Sequence, residues 1–380
     1  MKKQAGFTLL EMLVSVAITV VLVAATLGAL TQAQHANEGV TLMANMQENL
    51  RAGMNYMLRD IIQAGEGIPT GGIPIPTNAA NPPVSNINRP APFALTFNTA
   101  YTNLPAVIPG AAIGEPKRNP VTGAVVAGSN TDMITILYAD NNLVDGAVPP
   151  NRLNGNPVFQ NPGPPVCNGT ITAAGDQVTV APGCFNLAFG TNNVTVGDLI
   201  LFSNGQGPQN VIQYVTAVAP PNIFFAAGGD PSGLNARVQP NNTILQMQNG
   251  APGAGGPYPP TTITRIYMIT YYLDYNTNPL RPQLMRQVNY NPPQPVGEVL
   301  EDLQLTFDVA NSAVPGAYPG IGPSNARDAI VPDSPNQFRK VNIYLAARSE
   351  SPYSQTGQCF RNNLNTQVSL RSLAFVTKFQ

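Results

Sequence analysis

From Phe7 to Leu30 the chain runs through 24 residues that are apolar or small except for one carboxylate, Glu11. At ~1.5 Å per residue such a helix covers about 36 Å, enough to cross a hydrocarbon core of roughly 30 Å. Lys2 and Lys3 precede it, so the positive-inside rule keeps the N-terminus cytoplasmic and puts everything after Leu30 on the far side. A secretory signal peptide has a shorter apolar core, about 7–15 residues, and ends in a small-residue cleavage site. Here the apolar run is too long and the stretch before it, Met1 to Gly6, too short. A permanent membrane span is therefore expected, and a carboxylate inside it needs a reason. By insertion scales such a charge costs on the order of 2.5–3.5 kcal/mol at the membrane centre, and less near the interface where Glu11 would sit.

The reason lies in the surrounding string. Lys2-Lys3-Gln4-Ala5-Gly6-Phe7-Thr8-Leu9-Leu10-Glu11-Met12-Leu13-Val14 resembles the prepilin processing motif of type IV pilins and type II secretion pseudopilins. The resemblance implies that a membrane-embedded prepilin peptidase cuts after Gly6 and methylates the new N-terminus at Phe7, leaving Glu11 as the fifth mature residue. It also implies that Glu11 docks subunits. In a bundle of packed apolar helices, its carboxylate neutralises the α-amino group of a neighbour's Phe7, a pair strengthened by the low dielectric.

Beyond the span the periodicity stays helical, with Met43, Met46, Leu50, Met54, Met57 or Leu58, and Ile61 at steps of three and four. Gln47, Glu48, Arg51, Asn55, Arg59 and Asp60 fall mainly between them. Gly65, Gly67 and Pro69 supply the stop. One helix from Thr8 to Ala64 would reach roughly 85 Å, although Gly28, Gly39 and Gly53 weaken it and two helices hinged near Gly39 remain an alternative. The expected layout is a leader at 1–6, a transmembrane helix at 7–30, an amphipathic stem at 31–64 and a β-rich body at 65–380. The resemblance implies the α+β lollipop fold of the pilins, a long helix packed on an antiparallel sheet.

Composition supports such a body. Charged residues make up 10% of the chain, far below the roughly 25% of an ordinary domain, and 38 Pro with 34 Gly point to long loops. The 43% hydrophobic content is enough to bury a core. Candidate strands are Phe93 to Asn98, Met133 to Tyr138, Val194 to Phe202, Val211 to Val218, Ile263 to Tyr275, Leu284 to Asn289, Val299 to Val309, Lys340 to Arg348 and Val368 to Phe379. Leu303, Leu305, Phe307 and Val309 alternate with polar neighbours, as do Val341, Ile343 and Leu345, a period of two with one wet face that means antiparallel sheet. Three stretches, Val196 to Phe202, Ile269 to Asp274 and Leu300 to Phe307, resemble the body of large minor pilins of the PilW type, and more loosely the J-class minor pseudopilin.

Three cysteines in an exported domain permit one disulfide. Cys167 and Cys184, either side of Gly169 and Gly175, suit a stapled hairpin worth on the order of 3 kcal/mol in the chain-entropy model. Cys359 is then left over. The three allow three pairings. No CxxC occurs and the single histidine, His35, falls just past the span as an interfacial side chain, so no metal site is expected. Asp274-Tyr275-Asn276-Thr277-Asn278 begins like a calcium loop but has Pro279 where Gly is needed and Met285 where Glu is needed, so it reads as a turn. Asp140-Asn141-Asn142 and Asp145-Gly146 read likewise. Neither a catalytic set nor a cofactor loop can be assembled, and 14 dispersed Arg with 5 Lys make no nucleic-acid patch.

The expectation is a structural subunit, not an enzyme, and without cofactor: a minor type IV pilin that helps assemble or initiate a pilus. Its partners would be prepilin peptidase, other major and minor pilins through the N-terminal helix, and the inner-membrane assembly platform. It would reside in the bacterial inner membrane with its body in the periplasm, and on the pilus after assembly. The alternatives are a J-class pseudopilin of type II secretion, and a tip adhesin or ligand-binding subunit, for which the long loops and Tyr101, Tyr258, Tyr318 and Tyr353 are the hint.

Overall fold

A computed structural model describes residues 8–69, 72–76, 87–90, 103–140, 157–159, 169–180, 194–204, 210–220, 222–235, 243–244, 256–257, 261–309, 322–324 and 338–374. Its first element is a single α-helix, Leu9–Gln63, of 55 residues with no break at Gly39, so the two-helix alternative does not hold. The helix ends where the sequence asks it to: Gly65 and Gly67 turn the chain with φ of 85° and 67°, a region that glycine enters at no steric cost. Leu9 to Leu30 is exposed along its length, and the helix is long and apolar enough to cross a membrane.

The helix's second half is buried on one side. Met46, Leu50, Met54, Met57 and Ile61 are each 5% exposed or less. Met43 is not on this stripe; it stays exposed, and the buried face begins at Gly39. The stripe covers two antiparallel sheets at once. In the larger one the 14-residue strand Thr261–Asp274 is central. Leu199–Asn204 and Gln283–Val288 pair along one side of it, and Met133–Ala139 along the other. The smaller sheet runs in the order Gly322–Ser324, Leu300–Val309, Phe338–Arg348, Arg361–Ser369. One core joins the helix stripe to Ile134, Ile136, Ile269, Tyr271, Leu273 and Leu284 of the first sheet and to Leu303, Leu305, Phe307, Val341, Ile343 and Leu345 of the second.

The two sheets differ in what covers their other face. Behind the larger one lies a second apolar cluster that includes Leu137, Leu201, Ile212, Ile266 and Met268. Met133–Ala139 is accordingly buried at all seven positions, the pattern of a strand covered on both sides. The smaller sheet keeps the alternation read from sequence, its outer face carrying Gln304, Thr306, Asn342, Tyr344, Asn365 and Gln367. The chain passes from one sheet to the other at Val299, whose φ of 55° is a rare conformation for a β-branched residue and costs on the order of 1–3 kcal/mol. Leu300 N donating to Pro282 O at 3.1 Å and Arg348 N donating to Val299 O at 3.2 Å hold the crossing in place.

Several expected strands move. Val194 to Phe202 becomes a turn plus Leu199–Asn204, because Asp198 accepts from Thr195 N at 2.8 Å and Gly197 has φ of 96°. Val211 to Val218 splits into Asn210–Tyr214 and Ala217–Ala219, which join different sheets. Among the described residues the last strand is Arg361–Ser369, and the expected Val368 to Phe379 gives way to helix at 371–374, with 375–379 outside the described residues: nine register pairs with Phe338–Arg348 carry an Asn-rich stretch of poor intrinsic strand preference. After it the short helix Arg371–Ala374 drops Leu373 into the core. Phe93 to Asn98 lies outside the described residues.

Two buried carboxyls fasten the start of Met133–Ala139 to the body. Asp132 accepts from Ala112 N and Leu305 N, both at 2.7 Å, and Glu115 accepts from Tyr275 N at 2.8 Å and from the Asn276 side-chain amide. Burial, the largest influence on each, raises both carboxyl pKa values from their ordinary ones despite these donors. A carboxyl whose folded pKa is raised stabilises the fold while protonated. That contribution is complete below about pH 4, the unfolded carboxyl range, and is lost as pH rises through the folded values. Thermal melts of the detergent-solubilised protein should show Tm falling as pH rises above the unfolded carboxyl range of about 4. The fall should be smaller in Asp132→Asn, which cannot ionise, and an equal fall in both proteins would show that Asp132 does not contribute.

Candidate functional site: the N-terminal helix and its docking on the body

The helix starts with a reciprocal cap. Thr8 stands at the N-cap with extended backbone. Its Oγ1 accepts from Glu11 N at 3.4 Å, while Glu11 Oε2 accepts from Thr8 N and from Thr8 Oγ1, both at 2.9 Å. Two of the amide groups left unpaired at a helix start are thereby satisfied. Glu11 is thus a structural cap in the isolated chain, with its carboxylate on the exposed surface of the helix. Thr8 carries no site role in the sequence reading, although the spacing Thr8-Leu9-Leu10-Glu11 is the capping-box signature that identifies it. Gly6 and Phe7 lie outside the described residues, as do Cys167 and Cys184.

Farther along, two contacts fix how the helix leaves the body. The upper one is Asp60, 1% exposed, which accepts from Tyr271 Oη and from Arg286 Nε, both at 2.6 Å. Arg59 Nε approaches its other oxygen at 3.7 Å. The pairing raises the Arg286 pKa against the opposing effect of burial, and burial raises that of Tyr271, so both stay protonated donors. In the sequence Asp60 falls with the polar residues between stripe positions. Its spacing of three from Met57 and four from Ala64 puts it on the stripe itself, which is the signal that identifies it.

The lower contact is made by the segment joining Phe338–Arg348 to Arg361–Ser369. Ser354 Oγ lies 2.7 Å from His35 Nδ1 and donates to Glu38 Oε2, drawing that carboxyl's pKa down. The Tyr353 ring stacks on Phe360 at 5.3 Å and roofs Gly39, where an added Cβ would come within 3.4 Å of it. His35 is therefore a partner of the body and not a free interfacial side chain, and Tyr353 is half-buried against the stem instead of presenting an adhesive ring. Between the two contacts, Gly53 and Gly297 bring helix and strand backbones together: a Cβ on Gly297 would stand 3.4 Å from Gly53 Cα and 3.3 Å from Asn49 O.

Other sequence readings fall into place away from the stem. Asp274 is a turn residue as expected, accepting from Asn276 N at 2.8 Å and Thr277 N at 3.1 Å. Asp140 is not. It is buried and paired with Arg265, which also meets Asp198 at 3.5 Å. Cys359 is a free, half-buried thiol 3.9 Å from Arg348 Nη1. Among the described residues no group of three or more His, Cys, Asp or Glu is placed to hold a metal ion.

Residues 1–27 match the family model of the prokaryotic N-terminal methylation motif. Neither the curated proteins nor the solved structures contain a match to the chain. The motif supports a likeness to the type IV pilins and pseudopilins and implies processing by prepilin peptidase. With the apolar helix that follows, it supports membrane anchoring.

Removing one partner of a buried pair costs about 3–5 kcal/mol because the other charge stays buried and unpaired. Asp60→Ala should lose roughly that much stability in urea titration of the detergent-solubilised protein. Tyr271→Phe, which removes one hydrogen bond and no charge, should lose about 1 kcal/mol.

Proposed function

We propose that the chain is a minor type IV pilin, a membrane-anchored structural subunit that enters a pilus through its N-terminal helix and acts in assembly or initiation. The observation that carries this reading is the methylation motif at residues 1–27 running directly into a 55-residue helix whose first half is apolar and exposed while its second half is sealed to the body. A surface of 20 or so exposed apolar residues suits two environments, a bilayer before assembly and a bundle of like helices after it. In this reading the leader is 1–6, the peptidase cuts between Gly6 and Phe7, and Phe7 is methylated. The body is delivered to the periplasm and then to the cell surface. A body of more than 300 residues, and the PilW-like patterns at Val196 to Phe202, Ile269 to Asp274 and Leu300 to Phe307, favour a minor over a major subunit. The J-class pseudopilin shares all of the N-terminal features, and the same helix would serve a periplasmic pseudopilus.

Glu11 has two roles in this scheme, first capping its own helix through Thr8 and then pairing with a neighbour's Phe7 ammonium. The hydrogen bonds to Thr8 orient the carboxylate at the level of the helix start, where that ammonium arrives. We also assign Cys167 and Cys184 to one disulfide, with Cys359 reduced.

Gly6→Val should accumulate as a full-length membrane precursor, and mass spectrometry showing a methylated Phe7 N-terminus in that variant would refute the assignment of the cut. Glu11→Ala and Glu11→Gln should both be inserted and cleaved yet yield no pili in cells lacking the native copy. The glutamine keeps the acceptor for Thr8, so normal pili in Glu11→Gln alone would reduce the residue to a helix cap. Peptide mapping without reductant should recover a Cys167–Cys184 peptide, and a dominant Cys184–Cys359 species would reject the pairing.

A further inference from the structure

Pro116–Arg118 and Val125–Asn130 form a hairpin whose first strand is half-buried against the body and whose second is exposed at five of its six positions. Outside the helix, five large apolar side chains among the described residues are strongly exposed, and four of them sit together here. They are Val121 at 77%, Val125 at 52% and Val126 at 45%, with Leu280 at 45% beside the turn. Pro279 and Leu280 underlie that turn, 3.6 and 3.9 Å from where a Cβ on Gly123 would lie. A two-stranded ribbon is marginal without a partner, and exposed apolar residues clustered at one place mark a contact surface.

The hairpin's position says which surface it meets. Leu137 O accepts from Gly65 N at 2.9 Å, so the far end of Met133–Ala139 lies at the membrane-distal end of the helix. Followed backwards, the chain descends through Asp132, whose amide donates to Leu303 O at 2.9 Å, then through Lys117, paired with Asp302, and Arg118, bonded to Asn276 Oδ1 at 3.3 Å. It ends at Leu280. The Leu280 carbonyl is held by Arg348, the last residue before the segment that grips His35 and Gly39. The hairpin tip therefore projects from the membrane-proximal end of the body. From Gly39 to Leu30 the helix descends about 14 Å, and the polar layer above the hydrocarbon takes up roughly 5–7 Å of that. A tilt of about 20°, ordinary for a membrane helix, lowers one side of the base through the remainder.

We propose that the Val121–Val125–Val126–Leu280 patch is a second membrane contact, inserting into the interfacial zone of the periplasmic leaflet while the protein is anchored and unassembled. The hairpin would act as an outrigger that sets the tilt of the body over the bilayer. This inference rests on the membrane anchor alone and not on a role in pili.

The chain contains no tryptophan, so a single indole reports on one position. Full-length Val121→Trp, reconstituted into phosphatidylethanolamine–phosphatidylglycerol vesicles doped with acyl-chain-brominated phosphatidylcholine, should emit to the blue of its detergent-solubilised form and be quenched at least twofold. Ala219→Trp, at an exposed site on a different strand, should be unquenched. Adding Val125→Asp and Val126→Asp to the Val121→Trp protein should abolish the quenching without changing the circular dichroism melt. Unquenched, red emission from Val121→Trp in flotation-purified proteoliposomes would overturn the proposal. So would a blue shift that appears only as protein density in the vesicles rises, which would assign the patch to another copy of the chain.

Discussion

The seal between the stem stripe and two sheets is the interaction on which the rest of the molecule depends. Met46, Leu50, Met54, Met57 and Ile61 meet side chains from a large sheet built around Thr261–Asp274 and from a small one built around Leu300–Val309 and Phe338–Arg348. Neither sheet covers its inner face alone, and the helix cannot leave an apolar stripe in water. Burying a side chain of this size contributes about 1.5–3 kcal/mol, so five in a row outweigh the strain of Val299, which makes the turn from one sheet into the other. The same seal makes the helix one rigid rod across Gly39 and Gly53.

Electrostatics then sets the position of that rod. A purely apolar stripe tolerates sliding by a turn, whereas Asp60 has one place where Tyr271 and Arg286 both reach it. Gly53 against Gly297 adds a steric notch. At the other end His35, Glu38 and Gly39 are held by Ser354 and Tyr353. The rod therefore leaves the body at one defined point, and the exposed apolar half begins there. A helix that protrudes this far from the body needs that point fixed, since any rocking would be amplified along the protruding half.

Much of this was legible in the residues. The span, the stem, the stop at Gly65 and Gly67, and the alternating strands of the small sheet all follow from local periodicity, because each depends on which positions of one element face apolar surroundings. Arg361–Ser369 was missed for the opposite reason: its asparagines carry no strand signal, and what holds it straight is a ladder to a strand that precedes it in the chain. Leu370 and Leu373 read as strand residues in the sequence; Leu370 instead precedes a short helix and Leu373 lies within it, both buried.

What the sequence determined by itself is the N-terminal motif and the rod: the methylation motif, a Thr8–Glu11 capping spacing, an apolar half and an amphipathic half. These are encoded in consecutive residues and in a repeat of 3.6, and they need no distant partner. Only the tertiary structure decided that Asp60 and Asp140 are buried ionic partners instead of surface or turn residues, that His35 and Tyr353 join stem to body, and that four exposed apolar side chains converge at the membrane-proximal end. Each of these unites positions separated by more than 100 residues along the chain. Such pairings are settled by which surfaces pack together, since a charge is driven into the interior or an apolar group left outside only by the total burial of the elements that carry them.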